Sequence, residues 1–173
     1  MADSKPSPLV LDTSVWINLL ATGHADAIVE SLGSPIYIPE QVLGELKLDP
    51  ATRRPFITDP HPVLATSKTS LVTLSGAELD TFMDLVGAEA PDRLGDGEAA
   101  SIAVALNRNC RLGVDERKAN RILRERFSSI QTFRSTDIIN HSSLTSALGQ
   151  DIAVDCYDLA VKYGRMHIQA AKT

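Results

Sequence analysis

The chain has 173 residues, a formal net charge of -5 and 43% hydrophobic residues, a size and composition that fit one domain able to bury its own core. Net negative charge argues against nonspecific attraction to polyanions. No apolar span reaches the roughly twenty residues of a membrane helix, and residues 1–8 carry neither the apolar stretch nor the cleavage site of a secretory leader, so a cytoplasmic location with no membrane partner is expected.

The first predicted element is a strand, Leu9-Val10-Leu11, too short and too apolar for a helix; an apolar-periodic helix follows it. Asp12 therefore stands where a strand ends, at the edge of a sheet where ligands bind in open α/β folds. The same position suits a helix N-cap, and Thr13 and Ser14 share that preference. Ile36-Tyr37-Ile38-Pro39 reads as the next strand and Glu40 to Lys47 as the helix after it. Val42, Leu43 and Leu46 make its apolar stripe, with Glu45 at the margin, placed either to enter a cleft or to face solvent.

From Asp49 to Ser70 the sequence changes character: Pro50, Pro55, Pro60 and Pro62 preclude a continuous helix or central strand and imply a long loop. Arg53 and Arg54 could contact phosphate from this loop, though nothing in the sequence commits them to it. Leu71-Val72-Thr73-Leu74 reads as a strand. Ser75, with Glu78 three residues on, is a capping-box pattern for a structural helix carrying Leu79, Phe82, Met83, Leu85 and Val86.

The segment from Ala99 to Leu106 is apolar nearly all round, the mark of a buried helix. Asp96 is a candidate N-cap and Glu98 lies in the first turn, favoured there by the helix dipole. Glu98 also shares a face with Ile102 and Ala105, so a buried helix carries an acid at one end, which calls for a cation or donor nearby. Cys110 to Val114 is a further strand and ends directly in Asp115-Glu116. Cys110 and Cys156 lack metal-ligand spacing and read as small buried apolar residues.

The stretch from Arg108 to Arg134 is locally basic, and Arg117, Arg121 and Arg124 fall at i, i+4 and i+7 of the helix from Arg117 to Phe127. This stripe is either a solvated face or a contact for an RNA backbone. Ile130 to Phe133 forms the last strand, Ser135-Thr136-Asp137 a turn or cap, and Leu144 to His167 one or two packing helices. His24, His61, His141 and His167 lack ligand spacing and are expected in loops or at the surface.

Strands alternating with helices imply a predominantly parallel sheet, whose carboxyl ends point one way. Asp12 and Asp115 follow strands, and Glu45 and Glu98 lie on helices beside them, so four carboxylates distant in sequence could converge on one edge. Such a group needs compensation, and a hard divalent cation supplies it through oxygen ligands.

Leu11 to Ser14 (Leu-Asp-Thr-Ser), Ile38 to Leu46, Asp96 to Ala103 (Asp-Gly-Glu-Ala-Ala-Ser-Ile-Ala) and Val114 to Ala119 together resemble a PIN domain. The resemblance covers about Leu9 to Asn140 and is nearest to the branch with a Gly-Glu-Ala helix, related to the ribonuclease toxins of bacterial toxin–antitoxin pairs. It implies a three-layer α/β/α Rossmann-like fold with a mostly parallel sheet and a nuclease that uses Mg²⁺ or Mn²⁺ to cut RNA, leaving a 5′-phosphate. It further implies Asp12, Glu45, Glu98 and Asp115 as catalytic acids. Asp12, Glu98 and Asp115 are the metal ligands by the same resemblance, with Asp96 and Glu116 as competing or supplementary ones, and Thr13 and Ser14 are supporting hydroxyls. Many toxins have Asp where this chain has Glu98, a departure that bears on metal geometry.

The expected organisation is a flexible N-terminus (1–8), a PIN-like domain (9–140) with the Pro-rich loop at about 49–70, and a helical tail (141–173) packed on or extending it. The expected partners are RNA, held by Arg117, Arg121 and Arg124, an antitoxin protein and a second copy in a homodimer. The rival reading is a catalytically silent PIN-like module that binds RNA or protein. A haloacid-dehalogenase-like phosphatase is disfavoured because Ser14 stands where that family has its second acid. No Walker loop, Gly-x-Ser-x-Gly elbow or His-Glu-x-x-His helix is present.

Overall fold

Leu9, Val10 and Leu11 are all buried and form β1 (Leu9–Leu11), the middle strand of a five-stranded sheet in a computed structural model that describes residues 6–166. Strands covered on both faces read as unbroken apolar runs, which is why so short a stretch announces itself. β2 (Ile36–Pro39) and β4 (Arg111–Gly113) flank β1, and β3 (Thr69–Val72) and β5 (Thr132–Phe133) form the edges, in the order β3-β2-β1-β4-β5. Every pairing is parallel. Helices cover both faces, so the sheet is the middle layer of an α/β/α sandwich of the expected class.

The strand order fixes where the winding of the sheet reverses. From β1 the chain moves outward to β2 and β3 on one side, then returns to β4 and β5 on the other, so the direction of winding switches between β1 and β4. At such a switch point a crevice opens beyond the carboxyl ends of the strands. β1 and β4 end level, because Leu11 pairs with Gly113 and the Asp12 N–H donates to the Gly113 carbonyl at 3.0 Å.

Successive β1 side chains point to opposite faces and feed two separate cores. Leu9 and Leu11 join the core formed with α1 (Thr13–Ala21), α2 (Ala25–Leu32) and, from the end of the chain, α7 (Ser135–Ile139), α8 (Ser142–Leu148) and α9 (Gln150–Tyr163). Trp16, Leu19, Ile28, Leu144, Cys156 and Ala160 are fully buried there. Val10 joins the opposite core with Leu112 and with α4 (Ala77–Val86), α5 (Asp96–Asn107) and α6 (Arg117–Arg126). Each large apolar side chain buried in this way contributes about 1.5–3 kcal/mol relative to exposure.

α5 packs between the sheet and α4 with Ala99, Ala100, Ala103 and Ala105 buried, and their small side chains let the helix approach its neighbours closely. The single helix expected after β1 is two, because Gly23 adopts a left-handed φ of 72° between α1 and α2. In α4, Leu85 is buried but Leu79 and Met83 are 46% and 58% exposed, so the helical spacing of apolar residues overstates burial there. The N-cap of α4 is Gly76 rather than Ser75, although the Glu78 carboxylate does accept the Ser75 N–H at 3.2 Å.

The Pro-rich segment contains an isolated bridge between Leu48 and Pro55 and a single 3₁₀ turn, Pro62–Leu64. Cys110 and Cys156 are free and buried, as composition led us to expect. His24, His61 and His141 occupy cap positions in loops, and His167 lies outside the described residues. Among the described residues no helix is long and apolar enough to cross a membrane.

Candidate active site

Asp12 is only 1% exposed, an unusual position for a carboxylate, and its two oxygens have different surroundings. Oδ1 caps α1, accepting from the Val15 N–H at 2.9 Å and the Ser14 hydroxyl at 2.7 Å. Oδ2 is buried and has no hydrogen-bond partner among the described residues. Burial pushes the Asp12 carboxyl up to about 7; the two hydrogen bonds oppose the shift, and the charges of Asp115 and Glu98 add to it. The residue is thus both cap and buried acid, and the cap accounts for only one of its oxygens.

Glu45, the last residue of α3 (Glu40–Glu45), reaches Asp12's immediate neighbour: its Oε2 accepts from the Thr13 hydroxyl at 2.5 Å. Its Oε1 accepts from the Gly97 N–H at 2.9 Å. A Cβ at Gly97 would stand 2.5 Å from both Glu45 Oε2 and Thr13 Oγ1, so only glycine lets α5 come this close. The glycine of the Asp-Gly-Glu-Ala motif therefore seats the second acid on a backbone donor.

One residue on, Glu98 bends back so that Oε2 accepts the Gly95 N–H at 3.1 Å. Gly95 is the N-cap of α5, and Asp96, expected in that role, is instead the first helical residue and exposed. The reason is local: Glu98 closes the cap from three residues downstream, leaving the Asp96 side chain outside it. Burial raises the Glu98 pKa, the charges of Glu116 and Glu45 raise it further, and the Gly95 hydrogen bond and Lys118 act against them.

Asp115 lies beyond β4 and is fully bonded. Its Oδ2 accepts from the Asn18 amide at 2.8 Å and from the Ser135 hydroxyl, and its Oδ1 accepts the Ser135 N–H at 3.0 Å. Glu116, next along, is the exposed N-cap of α6. Asn18 and Ser135 are both fully buried, and sequence reasoning passed over both. A signal existed for each: Asn18 interrupts the apolar run of α1, and Ser135 starts the helix that follows β5.

Asn18 has a further bond. Its Oδ1 accepts the Arg165 backbone N–H at 2.6 Å, and a Cβ at Gly164 would sit 2.5 Å from the same oxygen. The end of α9 thus presses on the side chain that orients Asp115.

Of the four acids named from sequence, Asp12 and Asp115 follow β1 and β4, the charges of Asp115 and Glu98 act on Asp12, and hydrogen bonds link Thr13–Glu45–Gly97 on one side and Asn18–Asp115–Ser135 on the other. Their all-oxygen donor set, the unpartnered Asp12 Oδ2 and the raised pKa values of Asp12 and Glu98 fit a hard divalent cation. Among the described residues, no three of His, Cys, Asp and Glu are grouped closely enough to hold a metal ion as placed.

The basic stripe of α6 is not uniform. Arg121 is occupied by Asp92 at 2.7 Å and Glu125 at 3.1 Å, whereas Arg117 and Arg124 are exposed and form no ion pair with the described residues.

A family model described as a PIN domain matches residues 8–130. The chain belongs to the PIN-domain family. No curated protein and no solved structure gives a significant match. The PIN domain is a nuclease-type fold, and the matched segment contains Asp12, Glu45, Glu98 and Asp115. Ser135 and Arg165, which complete the hydrogen bonding of Asp115 and Asn18, lie beyond the matched PIN segment.

Proposed function

We propose that this PIN domain is a cytoplasmic, metal-dependent endoribonuclease. The observation that carries the reading is Asp12: a buried carboxyl at the sheet's switch point with one oxygen unpartnered and two further acids acting on it. Perturbed acids in a cleft are a functional signature. Asp12, Glu98 and Asp115 are the residues that would hold Mg²⁺ or Mn²⁺, with Asp96 and Glu116 at the helix starts beside them. A bound ion of this kind supplies a water of lowered pKa and neutralises charge on the scissile phosphate.

The remaining work falls to the chain. Asp12 Oδ2 is free to accept, because Oδ1 alone serves the cap. Glu45 is held by Thr13 and Gly97, and each of its oxygens retains a lone pair for a further donor such as water. Ser14 fixes the rotamer of Asp12, and Asn18 with Ser135 fixes that of Asp115. Positioning residues of this kind set the orientation of ligands and their basicity. Arg117 and Arg124 are available to an RNA backbone; Arg121 first has to leave Asp92 and Glu125.

The deciding experiment is cleavage of a mixed single-stranded RNA with Mn²⁺, with EDTA and with Asp12→Asn as controls. Metal-dependent cutting that the variant loses supports the reading; full activity in Asp12→Asn sinks it. One observation favours the rival, a silent module that binds RNA or protein: the acids do not form a ready three-ligand group. Calorimetry with Mn²⁺ near neutral pH separates the two, since the silent module has no need to bind metal.

The resemblance of Asp96 to Ala103 and Val114 to Ala119 to toxin ribonucleases supports a role as the toxin of a toxin–antitoxin pair and a homodimeric state. Co-purification with the product of an adjacent gene and light scattering of the purified protein test these two assignments.

A further inference from the structure

Beside the acid cluster lies a cavity of about 350 Å³ whose wall includes Glu45, Lys47, Arg53, Tyr163 and Arg165. This is within the size range of small-ligand sites. Glu45 is the member it shares with the acids. Lys47 and Arg53 come from the loop after α3, inside the matched segment, and Tyr163 and Arg165 from the end of α9, beyond it.

Both segments are held in place. Arg53 has a φ of 60°, in the left-handed region that a non-glycine residue seldom adopts. The turn that enforces it is built on Asp49: Oδ1 accepts the Ala51 and Thr52 N–H groups at 2.8 and 2.7 Å, and the Asp49 carbonyl accepts the Arg53 N–H at 2.8 Å. Backbone strain of this sort persists only where the surroundings over-determine it, and it gathers at ligand clamps. Arg165 is fixed through its N–H to Asn18.

The charges are uncommitted. Arg108, Arg121 and Arg126 each pair with an acid, but Lys47, Arg53 and Arg165 form no ion pair with the described residues. Three cations and one aromatic ring lining one cavity match what single-stranded nucleic acid needs: charge along the backbone and a surface for a base to stack on. The Lys162 Nζ lies over one face of the Tyr163 ring, 4.9 Å from its centroid, which leaves the other face for stacking.

We propose that this cavity is the subsite for the RNA nucleotide that flanks the scissile bond, with Lys47, Arg53 and Arg165 on its phosphodiester and Tyr163 stacked on its base. The assignment rests on the nuclease reading for the position of the scissile bond, and on its own residues for binding.

The test is anisotropy of a short fluorescein-labelled single-stranded RNA with the full chain in EDTA, so that nothing is cut. The Arg53→Ala/Arg165→Ala double variant should bind about tenfold more weakly at low salt, with its log–log salt slope shallower by roughly 1.4. Tyr163→Ala should lose about fivefold, and Tyr163→Phe, which keeps the ring, less than twofold. Unchanged affinity and slope in the double variant overturn the subsite. So does a polyglutamate peptide that binds more tightly than RNA of equal charge, since the cleft would then be a protein contact. If the variants lose RNA binding while the wild-type chain never cuts with Mn²⁺, the subsite stands and the nuclease reading falls; cutting with unchanged binding in the variants gives the reverse.

Discussion

Asn18 and Asp115, 97 positions apart in sequence, meet at 2.8 Å, amide to carboxylate, in the floor of the crevice. Because Asn18 Oδ1 is taken by the Arg165 N–H, its amide can turn only one way. Asn18→Ala should therefore release Asp115 and strand the Arg165 donor. We expect a loss of about 1–3 kcal/mol in urea-melt stability and a 10–100-fold fall in metal-dependent cleavage or metal affinity. Loss of stability with full activity would mean that Asn18 has only a packing role.

Asp12 makes stability fall with rising pH. Its native pKa of about 7 lies above its ordinary 3.8, so the native state holds a proton that the unfolded state gives up. The contribution is fully present below about 3.8 and is lost as pH rises through about 7, a cost on the order of 4 kcal/mol once Asp12 is charged in the native state. Asp12→Asn should raise the melting temperature at pH 8 and change it little at pH 4. Mn²⁺ should stabilise the wild-type chain at pH 8 and release protons near pH 6–7, visible as a buffer-dependent binding enthalpy. A variant no more stable at pH 8 than at pH 4, relative to wild type, would overturn this.

Gly97→Ala tests the seat of Glu45. The new methyl group would lie 2.5 Å from Glu45 Oε2 and Thr13 Oγ1, an overlap costing about 1–3 kcal/mol and offset by about 1 kcal/mol of helix propensity. The net loss of stability should therefore be no more than about 2 kcal/mol. Cleavage should fall at least about tenfold because Glu45 is displaced, and retained cleavage would show that Glu45 need not sit on the Gly97 N–H.

Far from the crevice, Glu78 is nearly buried and grips Arg108 at 2.5 Å, which lowers its pKa. Its contribution is therefore present above the ordinary 4.5 and is lost as pH falls through the depressed native value. Glu78→Gln should cost about 1–3 kcal/mol at pH 7 and much less at pH 3. It should leave cleavage at its wild-type rate.

The sequence reveals those parts of the fold and site that depend on neighbours in the chain. β1 announces itself as a short apolar run ending in Asp12, β4 as a short segment around Leu112 and Val114 ending in Asp115, and the buried α5 as an apolar stretch that follows Glu98. β3 is harder: an edge strand half open to solvent has no hydrophobic mark at its start. Pairing of Ile36 with Thr69 moves it two residues earlier than Leu71. The partners of Asp115 were missed because nothing near Asn18 or Ser135 in the chain foretells a contact with it. Arg121 looked like part of a binding stripe because helical spacing cannot reveal that Asp92, on another segment, already holds it.

The way the last helices close one face of the sheet bears on what can be removed. A chain ending at residue 130 would keep all four acids and yet uncover Trp16, Leu19 and Ile28, whose core is completed by Leu144, Cys156 and Ala160. It would also lose the Arg165 contact on Asn18 and the aromatic wall beside Glu45. Such a truncation trades a folded protein for an exposed apolar surface, so its inactivity would say nothing about the acids.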